Sequence, residues 1–264
     1  MIVRSLVTAS SKAADLLLGI DDTDNLHSRG TGQLCQQLLA HLHTGGFGIP
    51  LGATRHELFA DPGIRYTSHN SSACIAWRTA PGTSATDITA AAGTFLARHS
   101  APGSDPGLAV VRPAALPAAA TAALVDFGQR AKVAVIPRDR APRLAQRWGL
   151  HLSAHGGTGD GVLGALAAAC LRLSGNDGMF LWMPGIRELG GRCSYAELRA
   201  RVPVDDARDD DGHRPAPHDV IELGDWVRPV LEGGRAVLLL QPATITHGEA
   251  TRWIPQPRTE ATPR

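Results

Sequence analysis

The apolar run Leu16 to Ile20 breaks off into Asp21-Asp22-Thr23-Asp24, and from Thr31 onward Leu34, Leu38, Leu39 and Leu42 recur at helical spacing until Gly45-Gly46. A short buried strand and a helix with one apolar stripe cannot each bury that surface alone, so this opening commits the chain to packed α and β layers. The alternation continues. Ser71 to Trp77 (SSACIAW) reads as a strand, and Ser84 with Asp87 forms a helix start leading into Ala90 to Arg98. Leu108 to Arg112 reads as a strand introduced by Pro106-Gly107, followed by an Ala-rich helix over Pro117 to Lys132 and a short one over Pro142 to Trp148. A strand ending in a loop is expected at His151 to His155, then HGGTGDG (His155 to Gly161) delivers the chain to the apolar helix VLGALAAACLRL. Met179 to Trp182 reads as a buried strand, and Ser194 with Glu197 as the cap of one more helix. The expected fold is α/β, a mixed sheet with flanking helices plus a small C-terminal β extension.

The acidic, proline-bearing stretch VDDARDDDGHRPAP has no apolar period and predicts a linker over 203–218, separating a larger domain, residues 1–202, from 219–264. In that last part DVIEL, DWVRPVL and AVLLLQP form a meander too small to be stable unaided, so it is expected to pack back onto the larger domain. A frayed tail is expected from Gln256. Lys plus Arg (26) nearly balances Asp plus Glu (25), which leaves little long-range field for holding a polyanion non-specifically, and at 5% aromatic residues base-stacking platforms are not expected. No run of eighteen apolar residues occurs and the N-terminus lacks a signal-peptide core, so a soluble, cytoplasmic protein with no membrane partner is expected. Cys35, Cys74, Cys170 and Cys193 show neither CxxC spacing nor a nearby zinc-finger histidine, which predicts reduced thiols and no zinc.

Two constellations carry chemistry. Asp21, Asp22 and Asp24 sit at a strand end, where extended alternation would place Asp22 and Asp24 on one side and Asp21 with Thr23 on the other. Three such carboxylates repel one another, which a divalent cation relieves; an Asx-turn and helix-capping cluster in a solvated loop is an equal alternative. HGGTGDG offers backbone N–H groups at a helix start, a place for a phosphate, and matches neither a Walker A loop nor the dinucleotide fingerprint. Taken alone, such a turn more often lets a helix pack close to a sheet. The histidine pairs His41 with His43 and His151 with His155 read as structural or surface groups. The cations Arg130, Lys132, Arg138, Arg140, Arg143 and Arg147 read as a solvated helix face, and Asp205 to Asp211 as a charged linker.

Taken in order, GIDDTDN…RGTGQ, YTSHNSSACIAW, DPGLAVV and GTGDGVLGALAA resemble the kinase-like domain of the archaeal tRNA-isoleucine 2-agmatinylcytidine synthetases, the TiaS family. The resemblance spans about Leu16 to Leu198, and GIDDTD is its most specific element. It implies ATP- and Mg²⁺-dependent phosphoryl transfer, the activation of a carbonyl oxygen followed by amine displacement. It also gives Asp21, Asp22 and Asp24 a role in catalysis and in holding Mg²⁺, and places Thr23, Asn70, Gly157, Thr158, Gly159 and Gly161 at the nucleotide. The acceptor is a small molecule, a nucleoside or an RNA. Departures accompany it: Gln33 stands where the family has a phosphorylatable threonine, with Thr31 nearby, and Ser68 and Asp160 stand where it has arginines. The family's RNA-binding modules have no counterpart in these motifs. The alternatives are a nucleotide-binding regulatory module without turnover, or the catalytic subunit of a tRNA-modifying complex.

Overall fold

A computed structural model of the chain describes residues 14–63, 70–224, 227–244 and 251–256. The N-terminal tract, Thr67, Ser68 and His69, and the tail after Gln256 lie outside the described residues. Strand β1 (Leu16–Asp21) is flanked antiparallel by β3 (Ser71–Thr79) and β4 (Gly107–Val111), with Gly19 opposite both Cys74 and Ala109. Helix α1 (Thr31–Thr44) leads to β2 (Gly48–Glu57), antiparallel to β3, and α2 (Ala85–His99) joins β3 to β4. Both helices cover one face: Leu34, Leu38 and Leu42 of α1 and Ile88, Ala92 and Leu96 of α2 bury against Leu18, Ile20, Ile75 and Trp77. This β-α-β-β-α-β order, with strands arranged β4-β1-β3-β2, is the split βαβ arrangement of ferredoxin-like domains. It meets the expectation of a mixed sheet with flanking helices, most pairings being antiparallel. No helix of the described residues is long and apolar enough to cross a membrane.

Strand β2 was not legible in the sequence. Its segment GIPLGATRHE mixes Gly, Pro and charge, and a strand covered on both faces needs no alternation to advertise it. Its two buried polar residues, Thr54 and His56, are satisfied by each other and by Asp177. Thr54 Oγ1 lies 2.8 Å from His56 Nε2, and His56 Nδ1 lies 2.8 Å from Asp177 Oδ1, while Lys132 donates to the other oxygen of Asp177. Burial holds the His56 imidazole below its ordinary pKa, against the pull of the Asp177 carboxylate.

Beyond β6 (Met179–Trp182), which pairs with β2, the sheet continues through β10 (Val230–Glu232), β11 (Arg235–Thr244), β12 (Arg252–Pro255), β9 (Val220–Glu222) and β7 (Arg192–Ser194). Residues 203–218 differ from the acidic linker expected there. Val204, Asp206 and Ala207 are buried, and β8 (Asp206–Arg208) pairs in parallel with β11. Asp210 and Asp211 are exposed as expected, but Asp206 is a partner rather than solvated charge, accepting two hydrogen bonds at 2.9 Å from Arg214. Phe180, Met183, Leu198, Val202, Ile221, Leu238 and Trp253 share one core, so strands too few to stand alone borrow the apolar faces of residues 180–207, including α6 (Tyr195–Arg201).

The opposite face of the first sheet is covered by α3 (Ala118–Ala131), α4 (Arg140–Trp148) and, directly on β1, α5 (Gly161–Ser174), which follows β5 (His151–Ala154) at the sheet edge beside β4. Contact between α5 and the strands is backbone to backbone. A Cβ on Gly19 would lie 2.0 Å from the Ala165 carbonyl oxygen, and one on Gly107 would lie 2.2 Å from that of Gly161. Gly19→Ala should therefore lift the helix and cost about 3 kcal/mol of stability in urea denaturation. Gly82→Ala, at φ 81° with nothing within 4 Å of the added carbon, should cost only about 1 kcal/mol. Equal, small losses in both variants would contradict the close seating of α5.

Candidate functional site

Strand β1 ends at Asp21 because Asp22 takes φ 48°, the left-handed region that aspartate enters more readily than most residues. Extended alternation stops there, and the turn brings all three carboxylates, Asp21, Asp22 and Asp24, to the wall of one cleft of about 500 Å³. The cleft lies between the end of β1, the start of α1 at Thr31, the start of α5, and an apolar wall of Leu58, Phe59, Ala131, Ala134, Val135 and Ile136. Two helices thus begin on it, and each contributes partial positive charge from its first N–H groups.

Thr23, expected at the nucleotide, is buried and supports its neighbour instead. Its hydroxyl donates to Thr31 Oγ1 at 3.1 Å, and Thr31 in turn donates to Asp24 Oδ1 at 2.9 Å. Its carbonyl accepts from the Ala101 N–H at 2.9 Å, tying the β1–α1 loop to the end of α2. Asp21 packs under α5 so tightly that a Cβ on Gly164 would lie 1.7 Å from its Oδ2. Desolvation there, aided by the charges of Asp22 and Asp24 and opposed by a hydrogen bond from the Asp22 N–H, raises the Asp21 carboxyl well above its ordinary pKa.

The glycine loop is anchored by a residue the sequence reading passed over. Asp105, buried before Pro106, accepts the Thr158 N–H at one carboxylate oxygen and the Thr158 hydroxyl at 3.2 Å at the other, while its carbonyl accepts the Gly161 N–H at 3.1 Å. Gly157, at φ 55°, backs onto the same carboxylate: a Cβ would sit 1.6 Å from Asp105 Oδ1, so Gly157 packs and does not line the cleft. Thr158, Gly159 and Gly161 do line it. Gly159 has φ 83° and needs glycine for its backbone rather than for space. The signal for Asp105 was an acid ahead of Pro106-Gly107, which reads as an ordinary turn.

Asn70 is on the wall, with its side-chain amide donating to the Phe59 carbonyl at 2.6 Å, so it fixes the apolar side of the cleft. Of the cations read as a solvated helix face, Arg130 and Arg143 pair with Asp126 and Asp139 one turn away and Lys132 with Asp177. Arg138 differs: it lines the cleft and donates to Asp160 Oδ2 at 2.5 Å. His151 and His155 are bridged by Ser153, at 2.8 Å from each, away from the cleft wall. Among the described residues only Asp209, Asp211 and His213 bring three donor atoms within 4.8 Å of one another, and they are exposed or half-buried. The carboxylates of Asp21, Asp22 and Asp24 share the cleft wall without converging in this way.

No protein-family model matches the chain, and no curated protein does. Solved structures resemble it over part of its length. Apo TiaS, the tRNAIle2 agmatidine synthetase, superimposes with a TM-score of 0.48 at 20% identity, over 59% of this chain and 35% of that one. The TiaS complex with tRNA(Ile2) and ATP gives 0.49 at 20% identity, over 59% and 36%. A tRNA fluorescent labeling enzyme gives 0.49 at 21% identity, over 59% and 35%. The chain spans about a third of the length of these solved chains.

The raised pKa of Asp21 has a stability consequence of definite sign. Folded Asp21 binds its proton more tightly than unfolded Asp21, so nothing is lost below its ordinary value of 3.8, and stability declines as pH rises from there through the folded pKa. Asp21→Asn should therefore melt like the wild type near pH ~3 and above it at pH ~7 in the presence of a chelator. A melting difference independent of pH would show that Asp21 is not held in this desolvated, acid-crowded place.

Proposed function

We propose that the cleft binds ATP with Mg²⁺ and transfers a phosphoryl group to a small-molecule, nucleoside or RNA acceptor. The observation that carries this reading is the meeting of two segments far apart in sequence, the carboxylates after β1 and the glycine turn before α5, on one cleft beside two helix starts. The TiaS-like motifs fall on these same two segments.

The donor set offered to Mg²⁺ is three carboxylates on one cleft wall, with Asp21 held above its ordinary pKa by desolvation and, to a lesser degree, by the charges of Asp22 and Asp24. Asp21, Asp22 and Asp24 would hold the ion, which when bound neutralises charge on the β- and γ-phosphates. The residues of the chain supply the rest. The Gly159 turn and the positive end of α5 would lie beside the phosphates and act through the helix dipole, since the N–H groups of Thr158 and Gly161 stay committed to Asp105 and those of Val162 and Leu163 to the Gly159 and Asp160 carbonyls. Asp21, the deepest of the acids and the one with a raised pKa, is placed to accept the proton of an attacking hydroxyl or amide. Leu58, Phe59 and Ile136 offer apolar surface that keeps water from the reacting groups.

A second reading, a nucleotide-binding module without turnover, is favoured by one observation. Gln33 replaces the threonine that the resembled family phosphorylates, and the nearby Thr31 hydroxyl is bound to Asp24. Formation of ADP from ATP and Mg²⁺, with amine or nucleoside pools as acceptors, separates the two. Asp22→Asn should weaken Mg²⁺-dependent ATP binding about tenfold or more. Its effect on stability should stay within about 1 kcal/mol, since Asn also accepts a left-handed backbone. Unaltered Mg·ATP affinity in this variant, measured by titration calorimetry, would reduce the acidic cluster to a turn.

A further inference from the structure

Arg138 stands apart from the other charged groups of the cleft. Among the described residues of its wall it is the one cation, facing Asp21, Asp22, Asp24, Asp105 and Asp160. Its side chain is 79% exposed, whereas Asp160, to which it donates at 2.5 Å, is 27% exposed. Asp160 occupies the N-cap position of α5 yet makes no side-chain cap. An ion pair so open to water contributes little to stability. What it does is hold a guanidinium beside the Gly159 turn and the positive end of α5 on the cleft wall. The segment that carries Arg138 also supplies Ala134, Val135 and Ile136 to the apolar wall, so the cation is delivered by a built part of the cleft.

A planar guanidinium takes two phosphate oxygens at once and prefers a multiply charged phosphate chain to a single carboxylate. We propose that Arg138 is the polyphosphate-recognising cation of this cleft, held at the start of α5 by Asp160 and passed from that carboxylate to the phosphate chain when nucleotide enters. The proposal rests on the triphosphate reading of the same cleft and adds the residue that distinguishes a triphosphate from a monophosphate. Asp160 is then a positioning residue: it keeps the arginine extended over the glycine turn and competes with the ligand for it.

The test titrates wild type, Arg138→Ala, Arg138→Lys and Asp160→Asn with ATP and with AMP in Mg²⁺, by calorimetry, with circular dichroism and melting recorded for each. Arg138→Ala should lose about tenfold or more in ATP affinity with AMP nearly unchanged, and Arg138→Lys should fall between, keeping charge without the fork. Asp160→Asn should bind ATP at least as tightly as wild type, and its gain should shrink when Arg138 is alanine, because the two residues are coupled. The proposal is overturned if Arg138→Ala binds ATP like wild type. It is also overturned if ATP and AMP weaken equally in Arg138→Ala and in Asp160→Asn, which would make the pair a fastening of the loop. Should the alanine variant lose its fold, the lysine variant decides by the same ratio of ATP to AMP affinity. Absence of ATP binding in the wild type defeats the triphosphate reading itself, whereas wild-type binding with an indifferent Arg138 defeats this proposal alone.

Discussion

Helix α5 rests on the bare backbone of β1, and the geometry of the cleft follows from that contact. Gly19 admits the Ala165 carbonyl, Gly107 admits the first residue of the helix, and Gly164 leaves room for the Asp21 carboxyl. Ala165, Ala167, Ala168 and Ala169, all buried, keep the rest of the interface thin. A larger residue at any of these contacts would hold the helix away from the sheet. At the observed closeness, the positive end of α5 meets the acidic end of β1 without intervening side chains, and Asp21 is desolvated because the helix covers it. The same contact that stabilises the fold therefore sets the protonation of the group placed deepest in the cleft.

Two internal acids fasten the cleft walls to this core. Asp105 holds the glycine loop by the Thr158 N–H and hydroxyl and by its own carbonyl to Gly161. Asp177 holds the opposite wall: it takes His56 of β2 on one oxygen and Lys132, just past the end of α3, on the other. Lys132 follows Ala131, whose carbonyl accepts the Phe59 N–H at 2.8 Å, and Phe59 is in turn gripped by Asn70. Each wall is thus referred back to the sheet through a carboxylate whose oxygens are occupied by protein donors. Hydrogen bonds to the ionised form hold the Asp177 carboxyl low in spite of its burial, so the fastening persists wherever the protein is folded near neutral pH.

Much of this was legible in the chain. The run Leu16 to Ile20, the helical leucines after Thr31, the Ser84 cap and the glycine turn before α5 each carry a local signal, and each folds as that signal implies. What stayed hidden has a common physical character, dependence on a partner distant in sequence. Strand β2 is buried on both faces and so shows no alternation; Asp105 reads as a turn residue until Thr158 is placed beside it; residues 203–218 look like solvated charge until Arg214 and β11 supply their partners. Arg138 belongs to the same class, since a basic helix face and a cleft cation are indistinguishable before Asp160 is located. Thr23 and Gly157 show the converse: motif position placed them at a ligand, whereas Thr23 is buried against Thr31 and Gly157 packs on Asp105 behind the cleft wall.

Under the proposed function, charge sets the terms on which a polyphosphate would enter this cleft. Five aspartates line it, and against them stand Arg138 and two helix starts, each helix worth about half a unit charge. Two like charges about 4 Å apart near a protein surface repel by about 4 kcal/mol. Under the proposed function a bare triphosphate would meet this repulsion several times over, so the cleft favours a nucleotide that arrives with its cation. The raised pKa of Asp21 belongs to the same balance: with no cation near, protonation of the most desolvated carboxyl is the cheapest way to reduce the negative charge. Under the same proposal, a cation held by Asp21, Asp22 and Asp24 would remove that need, and the Asp21 oxygen not engaged by the cation would be the one placed to take the proton that the phosphoryl acceptor loses.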